Sequence, residues 1–329
     1  MAYENDTPTR IFIECLCMIY NVLKELSVSM YRFFVSSPRK CISGEVVLIT
    51  GSGGAIGRAL SLRFSKLGAT LVLWDINEKK NEETASLIKQ QGGSCYSYTL
   101  DIGLPEEVSK AAQRVRQEVG EVDVLVNNAA VVTGRPLLEC PDEMIERTFS
   151  VNLLAQFYTV KCFLPAMMKR HHGHVVNIAS SVGLVGLRHL ADYSASKAGV
   201  VGFSEVLNLE VKFSGVTGVH TTTVCPSFVK TSLFQGCEMR FPCILPALDV
   251  DACADRILDA VLTNQVIVCI PRIVYFFCVM KTILPVNVMC SISKFFGAID
   301  FMDNFVHGDN GNDQAVPNRS VTSNPVNTS

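Results

Sequence analysis

Asp192-Tyr193-Ser194-Ala195-Ser196-Lys197 sets a phenol and an ammonium four residues apart in a stretch of helical period, hence on one face. A phenol with a pKa of about 10 is a poor proton shuttle at neutral pH. An ammonium one turn away favours the phenolate and moves the group toward working range. A surface Tyr–Lys pair would share this spacing, so the pair alone carries little. Its weight comes from company. Ser180 lies thirteen residues upstream, at the end of Val175-Val176-Asn177-Ile178-Ala179. Asn127-Asn128-Ala129-Ala130 closes another strand-like run, and Val151-Asn152 lies in the helical stretch that follows.

A second constellation sits near the start of the chain. Val46–Thr50 reads as a strand and runs into Gly51-Ser52-Gly53-Gly54-Ala55-Ile56-Gly57 and then a helix. A glycine-rich turn at that point lets backbone N–H groups and a helix N-terminus approach a pyrophosphate. The G-x-G-x-x-G spacing fails at Ile56. The spacing T-G-x-x-x-G-x-G fits, with Ala55 in the middle glycine position. Leu71-Val72-Leu73-Trp74-Asp75 then ends a second strand on an acid twenty-four residues beyond Gly51. A carboxylate there accepts ribose hydroxyls and repels a 2′-phosphate. No Arg or Lys lies inside the loop, although Arg58 follows it, so NAD is preferred over NADP.

The elements that must position these groups alternate. Strands are expected at Val46–Thr50, Thr70–Asp75, Ser94–Leu100, Val122–Asn127, His174–Ala179, Gly218–Cys225 and Val266–Ile270. Helical stretches such as Ala55–Leu67, Glu78–Gln91, Pro105–Val119, Asp142–Arg170 and Ala191–Phe213 lie between them. This alternation predicts an α/β fold with a doubly wound parallel sheet, a single Rossmann-type domain. At 329 residues there is ample material for a core. Net charge is −2 with no basic tract, which argues against a nucleic-acid partner. Thirteen cysteines without a C-x-x-C read as reduced thiols, with no metal site. Only 18% of residues are charged and mean hydropathy is +0.28, so apolar surface is expected.

Over residues 40–270 the chain resembles the short-chain dehydrogenase/reductase family. The glycine loop, Asp75, Asp101, Asn127, Asn152, Ser180, Tyr193 and Lys197 occur in family order. The resemblance implies that Tyr193 is the acid/base on the substrate oxygen and that Ser180 hydrogen-bonds the same oxygen. It implies that Lys197 holds the nicotinamide ribose and tunes Tyr193, and that Asn152 anchors a water-linked proton relay. Gly51, Ser52, Gly53, Ile56 and Gly57 would cradle the cofactor, Asp101 would meet the adenine, and Asn127 with Ala129 would fix the cofactor against the sheet. Pro226 to Thr231 matches the stretch over the nicotinamide, with Val229 and Thr231 near the carboxamide. Three positions depart from the pattern: Ala55 and Ala130 stand where the family has glycine, and Ser227 where many members do.

Within the family, Leu71–Asn77, Glu118–Ala129, Leu137–Thr148 and Ile283–Gly297 look like the membrane-associated retinol dehydrogenases and their lipid-droplet hydroxysteroid dehydrogenase relatives. That branch implies NAD-dependent oxidation of all-trans-retinol to retinal. A 17β-hydroxysteroid or a long-chain alcohol is an alternative substrate, and a catalytically silent membrane or lipid-droplet scaffold is an alternative of another class. Phe228, Leu233, Phe234, Met239, Phe241, Pro242, Ile244 and Leu245 are expected to line a lipophilic pocket whose polar end is Ser180 and Tyr193.

Outside that domain, Ile11–Leu23 is apolar except for Glu14 and Asn21, and Ile273–Ile299 is apolar but interrupted. The expected organisation is a hydrophobic anchor over 1–36, a NAD-binding domain over 37–272, an apolar extension over 273–307 contacting substrate or membrane, and a disordered tail over 308–329. Basic residues gather after the first apolar run, which predicts a catalytic domain facing the cytosol at the endoplasmic reticulum or lipid droplet. Expected partners are a lipophilic small molecule and a membrane or lipid-droplet surface, with a homo-oligomer left open.

Overall fold

A computed structural model of the chain describes residues 8–35, 38–242, 244 and 246–306. Leu245 and the segment from residue 308 onward, for which the sequence carries expectations, lie outside these residues. The chain divides into two compact units that meet at Lys40 and Cys41.

The first unit holds one helix, α1 (Pro8–Phe34). It runs on beyond the apolar stretch Ile11–Leu23. Arg10, Glu14, Asn21 and Glu25 recur at spacings of four, seven and four, which draws a polar stripe down one face of the helix. Arg10 and Glu14 pair along it at 3.0 Å. Phe12, Tyr20 and Leu26 are among the apolar side chains exposed elsewhere on its surface. Among the described residues no helix is long and apolar enough to cross a membrane.

The second unit is a seven-stranded parallel sheet in the order β3-β2-β1-β4-β5-β6-β7. The strands are β1 (Val46–Thr50), β2 (Thr70–Asp75), β3 (Cys95–Thr99), β4 (Val124–Asn127), β5 (Gly173–Ile178), β6 (Val219–Pro226) and β7 (Ile267–Ile270). β1, β4 and β5 are buried along almost their whole length, which requires helices on both faces. One layer is α2 (Ala55–Lys66), α3 (Glu78–Gln90) and α8 (Val250–Leu262), packed through Leu60, Phe64, Ile88 and Ile257. The opposite layer is α4 (Pro105–Glu118), α6 (Ala155–Arg170) and α7 (Ala191–Phe213), packed through Val115, Phe163 and Val211. After β3 the chain crosses to β4 on the other side of β1. Strand order therefore reverses between β1 and β4, and a crevice opens at their C-terminal ends.

The stretch expected as one helix over Asp142–Arg170 is broken. It comprises α5 (Asp142–Phe149), a π turn (Ser150–Leu154) and α6. A π turn widens the helix and re-aims its residues, and here it carries Asn152. After β7 come α9 (Ile273–Ile283) and α10 (Val286–Phe295), separated at Pro285, which cannot continue α9.

Candidate active site

The loop after β1 is built from its own backbone. Gly51 has φ +67, and a Cβ there would sit 2.8 Å from the Cα of Ala129. A Cβ on Gly57 would run into the Gly51 carbonyl. The Asn128 Nδ2 group donates to the carbonyls of Thr50 and Gly51 at 2.9 and 3.2 Å and latches the turn. Asp75 closes it from the other side, accepting from the Gly53 N–H at 2.9 Å and from the Asn77 N–H at 2.8 Å. Ser52 turns inward and donates to Asn81 at 2.6 Å, while Ile56 packs on the core beneath. Gly54 supplies no side-chain cap to α2, and Ala55 opens that helix with its methyl exposed. An uncapped helix start beside glycines, with a carboxylate at the end of β2, fits a dinucleotide. Arg58 is held by Glu83 at 2.9 Å and by the Lys80 carbonyl.

Two residues assigned to the cofactor by the resemblance have other neighbours. Asp101 takes an ion pair from Arg147 at 2.7 Å and accepts from the Gly103 N–H. Asn127 lies inside the sheet, donating to Asn177 at 2.9 Å and accepting from Thr159 at 2.8 Å. Asn177 in turn donates to Ser204 on α7 at 2.9 Å. A buried polar group without a partner costs roughly 1–3 kcal/mol, and this chain of side chains leaves Asn127 and Asn177 satisfied while tying β4 and β5 to α6 and α7.

Ser180 follows β5, and Tyr193 and Lys197 ride the first turns of α7; the fold brings all three together. The Ser180 hydroxyl lies near enough to the Tyr193 phenol to favour its charged form, and it donates to the Pro226 carbonyl at the end of β6 at 3.4 Å and accepts from the Val182 N–H at 3.3 Å. Lys197 is 1% exposed and donates to the Ile178 carbonyl at 2.8 Å. Its ammonium lies 5.7 Å from the centre of the Tyr193 ring. Asn152 grips the loop after β4 with both ends of its amide, accepting from the Val131 N–H at 2.8 Å and donating to the Val131 carbonyl at 3.0 Å. It also donates to Ser196 at 3.1 Å, and Ser196 donates to the Tyr193 carbonyl. Val229 is buried and bridges Leu248, and Thr231 leads into a short turn over Ser232–Phe234.

The proton affinities differ from the simple expectation. Burial pushes the Tyr193 phenol up, and the Ser180 hydrogen bond opposes it with a smaller effect. Burial pushes Lys197 down to about 8. Both groups lose the solvation of their charged forms at this depth.

Several neighbours carry no sequence signal. Asp192 accepts hydrogen bonds from Thr133 at 2.6 Å and Thr148 at 2.9 Å, so it joins the β4–α5 loop and α5 to the start of α7. The apolar surround of Tyr193 contains Phe228, Phe234 and Met239, as expected, but also Phe301, Met302 and Phe305 from the C-terminal segment. Phe241 instead packs on Phe295 and Phe296, and Pro242 and Ile244 are exposed. Local periodicity cannot reveal contacts between segments so far apart in the chain.

A model of the short chain dehydrogenase family matches residues 45–239. The chain belongs to the short-chain dehydrogenase family. Among its relatives, epidermal retinol dehydrogenase 2 of Mus musculus is 43% identical over 272 residues, covering 82% of this chain and 88% of that one. Retinol dehydrogenase 10 of Homo sapiens is 42% identical over 323 residues, 90% of this chain and 95% of that protein. A short-chain dehydrogenase/reductase from Burkholderia phymatum, solved in complex with NAD, shares the fold at a TM-score of 0.68 and 24% identity, over 74% of this chain and 94% of its own. A metagenomic short-chain oxidoreductase solved in complex with NADP superposes with a TM-score of 0.59 at 27% identity, over 70% of this chain and 96% of its own. In this short-chain dehydrogenase the family's glycine position at Ala55 sits on the exposed start of α2.

Proposed function

We propose that this short-chain dehydrogenase oxidises a lipophilic alcohol with NAD, and that the alcohol is all-trans-retinol. The observation that carries the reading is the Ser180–Tyr193–Lys197 group at the bottom of an apolar, aromatic surround. Its support from outside the chain is the similarity, over most of its length, to proteins named as retinol dehydrogenases. Bound NAD would supply the acceptor for the hydrogen and electron pair that leave the carbinol carbon.

The protein's own groups do the rest. Gly51, Ser52, Gly53, Ile56 and Gly57 form the cradle, and Asp75 offers its remaining lone pairs to the adenosine ribose and repels a 2′-phosphate. Asp101, Asn127 and Ala129 shape the adenine side and the floor. Pro226, Val229 and Thr231 stand on the nicotinamide side. Ser180 orients the substrate hydroxyl, and Tyr193 takes its proton. Lys197 has N–H donors beyond the one given to Ile178, which suit ribose hydroxyls, and its charge stabilises the phenolate. Asn152 holds the relay side, through the carbonyl that the Gln156 amide also approaches at 3.0 Å.

The membrane reading rests on two faces. α1 is about 40 Å long at ~1.5 Å per residue, and its polar stripe favours lying in an interface with the apolar remainder in lipid. On the catalytic unit, α9 and α10 expose Phe276, Val279, Ile283, Val286 and Phe295. No acidic residue occurs between Ile273 and Ile299, while Lys281 and Lys294 do, a pattern suited to an anionic lipid surface. An endoplasmic-reticulum or lipid-droplet surface with the catalytic unit in the cytosol joins a lipid-dissolved substrate to a water-dissolved cofactor.

The test is NADH formation by membranes from expressing cells offered all-trans-retinol, a 17β-hydroxysteroid and a long-chain fatty alcohol in parallel. Retinol should give the highest kcat/KM. A preference for the steroid would reassign the substrate, and silence with all three would leave a scaffold.

A further inference from the structure

The segment after α10 folds back over Tyr193. Phe301 and Met302 are 6% and 3% exposed, and three separate parts of the catalytic unit hold the segment in place. The Val306 N–H donates to the Gln235 carbonyl at 2.9 Å. Asp303 pairs with Arg188 at 3.8 Å, and the Arg188 guanidinium also reaches the Ile299 carbonyl. Gly134, with φ +66, turns its bare Cα toward Phe305 and Met302, and any side chain there would displace them. The Met302 sulfur lies 3.5 Å from that of Cys237.

This fastening delivers one ring to the reacting end of the site. Phe301 meets Phe228 edge to face, with centroids 5.1 Å apart, and lies 6.4 Å from Phe234. Phe234 stands edge-on to Tyr193 at 5.9 Å. Three aromatic rings thus pack on one another beside the phenol, and Tyr193 is only 4% exposed. Aromatic rings are rigid and have few torsions to immobilise, so a wall of them discriminates by shape at small entropic cost. A carbinol at the end of a slim, flat, unsaturated chain can reach Tyr193 past such a wall and lay its π-face against the rings. A ring-borne secondary alcohol brings the full width of a saturated ring system to the same place.

We propose that Phe301 is a specificity-determining residue that, with Phe228 and Phe234, selects flat unsaturated primary alcohols over saturated polycyclic ones. The proposal deepens the alcohol-oxidation reading and rests on it. It is tested on the full-length protein in membranes by kcat/KM for all-trans-retinol and for a 17β-hydroxysteroid, in wild type, Phe301→Ala and Phe301→Leu, with NAD binding measured alongside. The ratio of retinol to steroid should fall about tenfold in Phe301→Ala, through a higher KM for retinol with kcat within about threefold of wild type. Phe301→Leu keeps most of the buried volume and should fall between the two, which provides a reading if the alanine variant does not fold. A ratio unchanged within twofold while NAD still binds, or equal losses on both alcohols, would overturn the role of Phe301. A wild-type protein that binds NAD and oxidises neither alcohol would instead overturn the reaction itself, and the selection with it.

Discussion

Tyr193 and Lys197 share one face of α7, yet burial moves their proton affinities in opposite directions, the phenol up and the ammonium down to about 8. Because kcat/KM reports ionisations of the free enzyme, kcat/KM for NAD should decline as pH rises through about 8, where Lys197 gives up its charge. Lys197→Arg remains charged across that range; its profile should lose the alkaline limb while running at a lower level. An unchanged limb in that variant would assign the ionisation to another group. Asp75 poses a separate question, because its carboxylate already accepts two backbone N–H groups and would serve the ribose as well. Hydrogen bonds to a charged group are worth roughly 1.5–3 kcal/mol, so Asp75→Ala should weaken NAD about 10- to 100-fold while leaving NADP nearly unaffected, as read by cofactor titration. Equal weakening of both would mean that Asp75 braces the loop and does not select the cofactor.

The start of α7 is held by more than its own turns. Asp192 gathers the hydroxyls of Thr133 and Thr148, and its charge also suits the positive end of the helix. Asp192→Ala would leave two buried hydroxyls without their acceptor at a cost of about 1–3 kcal/mol, so Tm should drop by several degrees. Asp192→Asn keeps an acceptor and should lose less; equal losses would point to the charge and not to the hydrogen bonds. Most elements were legible in the sequence, because apolar β-branched runs closed by Gly51, Asp75 or Asn127 have a period that survives folding. β1 and β2 match their expected bounds, while β3 and β4 start one and two residues later than expected. α8 was not singled out, although its buried face of Cys253, Ala254, Ile257, Ala260, Val261 and Leu262 has helical spacing; half of that face is Cys and Ala, whose small side chains weaken the apolar signal. The π turn at Asn152 was hidden for a different reason. Its Asn152 bonds to Val131 and to Ser196 on α7, partners distant in the chain that leave no mark on local composition. Ser180, Tyr193 and Lys197 were singled out by type and spacing and lie together in the fold, whereas the contacts of Ser196 with Asn152, of Asn128 with Thr50 and of Phe301 with Phe228 join distant parts of the chain and left no signal.

As a whole, the chain joins a short-chain dehydrogenase unit to a unit that holds one amphipathic helix, with a further apolar face on α9 and α10. Deleting residues 1–40 should therefore move much of the protein from the membrane pellet to the supernatant with NAD binding retained, and the α9–α10 face should hold the remainder. Protease added to sealed microsomes should digest the catalytic unit of the full-length protein, whereas protection would put that unit in the lumen. The account turns on proton transfer by one phenol in an NAD-dependent alcohol oxidation. Tyr193→Phe removes the transferable proton and keeps the ring that packs on Phe234. Retinal formed from all-trans-retinol and NAD by wild type and by Tyr193→Phe, with NAD binding measured in the same preparations, is the most direct measurement. The wild type should produce retinal and the variant should fall near background with NAD binding intact, because only an interaction of the transition state is lost. Retention of more than roughly a tenth of the wild-type rate, a loss under about 1.4 kcal/mol of barrier, would contradict the assignment of Tyr193 as the acid/base.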